Sequence, residues 1–284
     1  MNKLSNFFLI CCLTLFCVGA SAQKKKAARK IYQKGWIDFN KNGIKDVYED
    51  TDAPMENRIA DLLSQMTLEE KTCQLATLYG SGRVLKDAEP TPEWKNEIWK
   101  DGIGNIDEQA NGLGSFPDKL SFPHVASIDN RHTIQRWFVE ETRLGIPVDY
   151  TNEGIRGLCH DRATMFPAQS GQGSTWNRAL IRKIADVTAR EAVALGYTNI
   201  YSPILDVSRD PRWGRVVECY SEDPYLTGEL GKQMIEGIQS QGLLSTPTHF
   251  AVYSIPVGGR DEGTRNDSYS SPRAMQTLLL EPFR

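Results

Sequence analysis

Three polar stretches carry side chains suited to a polyhydroxylated ligand. DYTNEGIRG (149–157), ILDVSRDPRWGR (204–215) and THF (248–250) offer Glu153, Arg156, Asp206, Arg209, Asp210, Arg215 and His249. Carboxylates accept from hydroxyls, a guanidinium donates in a fixed fork, and an imidazole can do either. An aromatic such as Trp213 can cover the apolar face of a sugar ring. The same charges can instead tie loops together by ion pairs, and spacing leaves both readings open. A second cluster has different chemistry. In DFNKNGIKDVYE, residues Asp38, Asn40, Asn42, Gly43, Asp46 and Glu49 stand at positions 1, 3, 5, 6, 9 and 12, and Ile44 at position 7 offers its carbonyl. That is the ligand order of an EF-hand or dockerin-like calcium loop, with glycine at the sharp turn; the competing reading is an Asn-Gly turn. Lys45 stands where a paired hand has an apolar residue, and no sister loop follows. The expectation is a structural Ca²⁺ clip, not a sensor, with a Kd of about 10⁻⁴–10⁻³ M.

The three polar stretches meet only if strands place them at one end of a sheet. From Arg58, apolar residues Ile59, Leu62, Leu63 and Met66 recur at helical spacing. Thr67 and Glu70 form a capping box that opens a second helix, expected through Leu78. The segment from Gly80 to Asn111 reads as loop, interrupted by GIGNI. A helix follows over Asp129–Arg143, then a short strand at Ile146–Val148. Asn177 caps a helix over Arg178–Leu195 that Gly196 ends. TNIYSPILDV (198–207) reads as a buried strand, Asp223-Pro224 starts a helix to Gln241, and THFAVYS (248–254) is strand-like. Ser271-Pro272 opens another helix. Such alternation predicts parallel βα units. With about four strands counted, the expected fold is α/β: a partial (β/α)8 TIM-type barrel, about its first half, preceded by the calcium-loop segment, with chemistry at the C-terminal strand ends.

The compartment is legible too. MNKLSNFFLICCLTLFCVGASA has one lysine, an apolar run and an A-x-A cleavage signal. The expected division is a signal peptide at 1–22, a loop-bearing segment at 23–53 and the incomplete barrel domain at 54–284, in a periplasmic or secreted protein. Cleavage removes Lys3 and takes the formal net charge from −3 to −4, which gives no reason to expect nucleic acid. After cleavage no apolar run reaches membrane-spanning length, so no membrane partner is expected. Cys73, Cys159 and Cys219 remain, an odd set without CxxC spacing; a Cys159–Cys219 bridge stays open. SGQGST (170–175) is a lone Gly-rich turn, and P-loop, HExxH and G-x-S-x-G patterns are missing.

RWFVEETRLGIPVDYTNEG, YTNIYSPILDVSRDPRWGRVVECYSEDPYLTGELG, THFAVYS and NRIADLLSQMTLEEKTCQL together resemble the N-terminal domain of glycoside hydrolase family three, the β-glucosidase and β-xylosidase family. The resemblance covers about residues 54–284. It implies a retaining, exo-acting hydrolase that removes terminal β-linked glucose or xylose from oligo- or polysaccharides and needs no catalytic cofactor. It also implies sugar-binding roles for Glu153, Arg215 and His249. Thr248 departs from the pattern, because the family carries lysine before this histidine. The family's nucleophile and acid/base both lie beyond the segment matched by Glu281-Pro282-Phe283, so no catalytic residue is assigned and the chain as printed is expected to be inactive. Asp206 and Asp210 read as scaffold. The alternative is a non-catalytic, calcium-stabilised carbohydrate-binding remnant.

Overall fold

Helix starts in this chain are set by side chains that accept the free amides of the first turn. The structure, a computed structural model, describes residues 30–79, 100–108, 124–254 and 270–284. The expected signal peptide lies outside the described residues. Helix α1 spans Met55–Gln65 and α2 Leu68–Cys73. At the start of α2, Thr67 Oγ1 accepts from the Glu70 amide at 3.2 Å, and Glu70 accepts from the Thr67 amide at 2.9 Å. Glu70 also pairs with Arg143, which holds α2 to the end of α3 (His124–Glu141). After the short α4 (Gln169–Gly173), α5 (Arg178–Leu195) is capped by Asn177 and closed by Gly196 in the left-handed region. Asp223 accepts from two amides of α6 (Pro224–Gln239), whose first residue is proline. Ser271 caps the brief α7 (Pro272–Ala274).

A short antiparallel pair, β1 (Tyr32–Gln33) and β2 (Trp36–Ile37), precedes a five-stranded parallel sheet. That sheet runs in chain order: β3 (Thr77–Tyr79), β4 (Asn105–Asp107), β5 (Asp149–Glu153), β6 (Asn199–Tyr201), β7 (Leu244–Ser245). Register puts Asp107 beside Thr151, Glu153 beside Tyr201 and Ile200 beside Ser245. Every strand points the same way, so its C-terminal residues share one rim.

The core lies between this sheet and one face each of α3, α5 and α6. Ile181, Ile184, Ala185, Thr188, Ala189, Ala192 and Leu195 form the buried stripe of α5, at spacings of three and four. Ile106, Tyr150 and Ile200 meet it from the strands, and Ile134 and Phe138 from α3. Helices α5 and α6 approach closely because Gly237 has no side chain: a Cβ there would lie 2.3 Å from Ala185 Cβ.

Several expected bounds differ from those observed. The second helix stops at Cys73 rather than Leu78, and Thr77–Tyr79 is a strand. Strand β4 falls within the stretch read as loop, so the parallel sheet has five strands among the described residues rather than about four. THFAVYS is not a strand; the preceding Leu244–Ser245 is, and Thr248 adds only an isolated bridge to Ile204. These strands are two or three residues long, too short for alternation to show. The three described cysteines are free thiols, so no Cys159–Cys219 bridge forms.

SGQG within SGQGST is structural. Gln169 exchanges two hydrogen bonds of 3.2 Å with the backbone of Ile204, and Gln172 donates to the carbonyls of Ile155 and Pro167. A Cβ on Gly173 would sit 1.9 Å from the Tyr220 carbonyl oxygen. Backbone gives way poorly, so Gly173→Ala should destabilise by about 1–3 kcal/mol. Thermal unfolding of the variant checks this; an unchanged Tm contradicts it.

Candidate active site

The C-terminal rim of the sheet gathers acid from three strands or the loops that follow them. Asp107 ends β4 and is buried; the Thr151 hydroxyl donates to its Oδ1 at 2.6 Å. Burial raises the Asp107 pKa against the Thr151 and Glu108 hydrogen bonds. Glu108 follows, with its own carboxyl raised by burial and by Asp107. Glu153 ends β5, and burial pushes it up to about 7; Asp107 adds to the rise, Arg215 opposes it, and Glu108 and Glu218 add further. A carboxyl group with a pKa near neutrality both donates and accepts, which matches the dual character of a sugar hydroxyl.

Arg215 is the cation facing these acids. Its Nε and Nη2 donate to Glu218 Oε2 at 2.9 and 2.5 Å, and its Nη1 lies 2.7 Å from His249 Nε2. A guanidinium has donors only, so His249 Nε2 accepts there. On the other side of the ring, Nδ1 lies 2.6 Å from Asp206 Oδ2 and donates to it. The His249 backbone amide donates to the same oxygen at 3.0 Å. The chain Asp206–His249–Arg215–Glu218 is therefore ordered end to end. Asp206 is buried and holds the histidine in place.

Aromatic groups close one side. Tyr253 meets His249 edge-on at 4.7 Å and the buried Trp213 at 5.3 Å, and the Arg215 guanidinium stands 5.8 Å from the Tyr253 ring centre. Thr248 is placed by its backbone, which accepts from Leu205 N at 2.6 Å and donates to Pro203 O at 3.0 Å. Its short side chain stands immediately before His249 in the sequence.

Of the residues expected at one mouth, the structure groups Glu153, Asp206, Arg215 and His249. Arg156 and Arg209 are exposed. Asp210 forms a bidentate pair with Arg212, whose hydrogen bonds pull its carboxyl down to about 2; this locks a surface turn. Sequence reasoning missed Asp107, Glu108, Glu218 and Tyr253. The NIDE stretch (105–108), two acids directly after an apolar residue, was the available signal for the first pair.

The calcium-loop residues lie elsewhere, between β2 and α1. Asp38 and Glu49 are buried, Asn42 and Ile44 exposed, and Asn40 and Asp46 half-buried. Among the described residues no three His, Cys, Asp or Glu side chains gather as a metal site.

The description "Glycosyl hydrolase family 3 N terminal domain" matches residues 67–284. A "Beta-xylosidase" of Formosa agariphila is 37% identical over 180 residues, covering 56% of this chain and 24% of its own length. A "Periplasmic beta-glucosidase" of Salmonella typhimurium is 31% identical over 214 residues, 72% of this chain and 24% of that protein. Among solved structures, a β-glucosidase from Erythrobacter marinus superposes with a TM-score of 0.71 at 28% identity, over 83% of this chain and 30% of the other. A β-glucosidase from Listeria innocua gives 0.63 at 30% identity, over 81% and 31%. The chain spans about a quarter of the two curated relatives' length. No helix among the described residues is long and apolar enough to cross a membrane.

The raised Glu153 has a measurable consequence. In the unfolded chain the carboxyl ionises at its ordinary value of 4.5, whereas in the fold it keeps its proton to about 7. Between these values the folded state binds the extra proton, so stability declines as pH rises through the window. Glu153→Gln should therefore melt several degrees above the parent at about pH 8.5 and close to it at about pH 4. Differential scanning calorimetry at both pH values checks this; equal shifts at both contradict it.

Proposed function

The chain belongs to glycosyl hydrolase family 3, matched over that family's N-terminal domain, and on this premise we propose that it is the sugar-holding part of an exported β-glycosidase. The parent reaction is removal of terminal β-linked glucose or xylose by a retaining, two-carboxylate mechanism. The single observation that supports this reading best is the ordered Asp206–His249–Arg215–Glu218 chain beside the raised Glu153.

In this reading Arg215 donates N–H groups not used by Glu218 or His249 to hydroxyls of the terminal sugar, His249 Nε2 exchanges its Arg215 contact for a hydroxyl, and Glu153 takes a further hydroxyl. Ion-pair donors and a half-buried carboxyl hold such groups better than neutral pairs exposed to water. The five parallel strands among the described residues support a reading as the opening part of an eightfold barrel whose C-terminal rim carries the site. In this reading the rim holds the sugar, and no residue of it takes the role of nucleophile or acid/base. The β-glucosidase and β-xylosidase activities named for the relatives support the substrate class, and the periplasmic relative supports export.

Two experiments follow. The 284-residue chain should release no aryl group from aryl β-glucosides or β-xylosides above a no-enzyme control; turnover would reassign the chemistry to Asp206 or Asp210. Joined to a segment that supplies the family's two carboxylates, it should gain turnover, and Arg215→Ala should lower kcat/KM about 10- to 100-fold, the worth of one charged hydrogen bond. Activity unaffected by Arg215→Ala would remove the site assignment.

Thr248 supplies a sharper test in the same extended protein. A lysine there adds a charged donor beside His249, so Thr248→Lys should tighten glucose inhibition by about 1–3 kcal/mol. An unchanged inhibition constant shows that another group already fills the role.

A further inference from the structure

The loop between β2 and α1 closes around a buried carboxylate with one oxygen lacking a partner. Asp38 is 1% exposed. Its Oδ2 accepts from the Gly43 amide at 2.9 Å, across the turn that Gly43 makes at φ +85°. Its Oδ1 is buried and has no hydrogen-bond partner among the described residues. A buried carboxylate oxygen left unmatched is costly, and proteins ordinarily pair it or place a cation on it.

The surroundings are rich in oxygen. Asn40 Oδ1 accepts from the Asn42 amide and Asn42 Oδ1 from the Ile44 amide, which turns both side chains along the loop. Their Nδ2 groups both donate to Asp46 Oδ2, at 2.5 and 2.8 Å. Glu49, 2% exposed, closes the far end by accepting from the amides of Phe39, Asn40 and Asp46. Lys41 is nearby; its ammonium donates to the carbonyls of Phe39, Val139 and Thr142 and feels the charges of Asp38 and Glu49. Neither sulfur nor imidazole belongs to this set, so a hard cation suits it better than a transition metal.

We propose that this loop binds one Ca²⁺, with Asp38 Oδ1 as its anchoring ligand. The Asn40, Asn42 and Asp46 side-chain oxygens, the Ile44 carbonyl and a remaining lone pair of Glu49 complete an oxygen shell of the size calcium takes. Binding draws Asn40 and Asn42 around so that their oxygens replace their nitrogens beside Asp46. The ion braces a junction. Asn40 donates to Gln65 of α1, Asp61 of α1 accepts from the Tyr48 amide, Arg58 donates to the Tyr48 carbonyl, and Lys41 reaches the end of α3. Calcium therefore fastens α1 to α3 through the loop, and the inference stands independently of the sugar reading.

The test uses the full chain stripped with a chelator, then titrated calorimetrically with CaCl₂ and, separately, MgCl₂. One Ca²⁺ per chain is expected, with a Kd of about 10⁻⁴–10⁻³ M, and Tm should rise by about 2–4 °C at about 5 mM Ca²⁺. Asp38→Asn should weaken binding at least about tenfold. Should that variant fail to fold, Asn42→Ala, at an exposed position, carries the same test with a clear loss of affinity. Absence of calcium heat together with an unmoved Tm in the parent would overturn the proposal and leave Oδ1 to a water molecule. An equal response to Mg²⁺, or binding unchanged in the folded variants, would overturn it equally.

Discussion

Arg215 is the charge around which the rim is arranged. Asp107, Glu108, Glu153, Asp206 and Glu218 all come to the C-terminal side of the parallel sheet, and in that water-poor setting several ionised carboxylates repel one another. The guanidinium resolves part of this conflict by pairing with Glu218 and lowering Glu153, and another of its N–H groups donates to His249. Burial raises Asp107, Glu108 and Glu153 alike, and Glu153, pushed up to about 7, is the carboxyl that donates as well as accepts near neutral pH.

The fold serves this arrangement with rather little regular structure. Strands of two to five residues suffice because each has a neighbour on the sheet and a helix face behind it. Gly173 and Gly237 show how closely these layers approach, one against the Tyr220 backbone and the other against Ala185. Gln169 fastens the backbone at Ile204, two residues before Asp206, Gln172 fastens the carbonyls of Ile155 and Pro167, and Asp206 Oδ2 holds His249 by both its amide and its Nδ1.

Helices were the legible part of the sequence, because capping chemistry is local. Thr67 with Glu70, Asn177 with Gly196, and Asp223-Pro224 each announce an end through the residues that bond there. Strands β3 and β4 were not legible: three residues cannot display a period, and their identity comes from pairing with chain segments far away. The site divides along the same line. Glu153, Arg215 and His249 were singled out from polar stretches and family resemblance, whereas Asp107 matters only because register sets it beside Thr151. Tyr253 was hidden in a stretch read as strand, where its ring would have seemed ordinary core.

The central claim is that Glu153, Arg215 and His249 form one sugar-binding surface. Titration of glucose into the isotopically labelled 284-residue chain, followed by NMR at the histidine ring nitrogens and the arginine Nε groups, tests it most directly. The account predicts saturable shifts at His249 Nδ1 and Nε2 and at Arg215 Nε, lost in Arg215→Ala. Glucose that moves none of these signals, or moves only residues away from the rim, would contradict it.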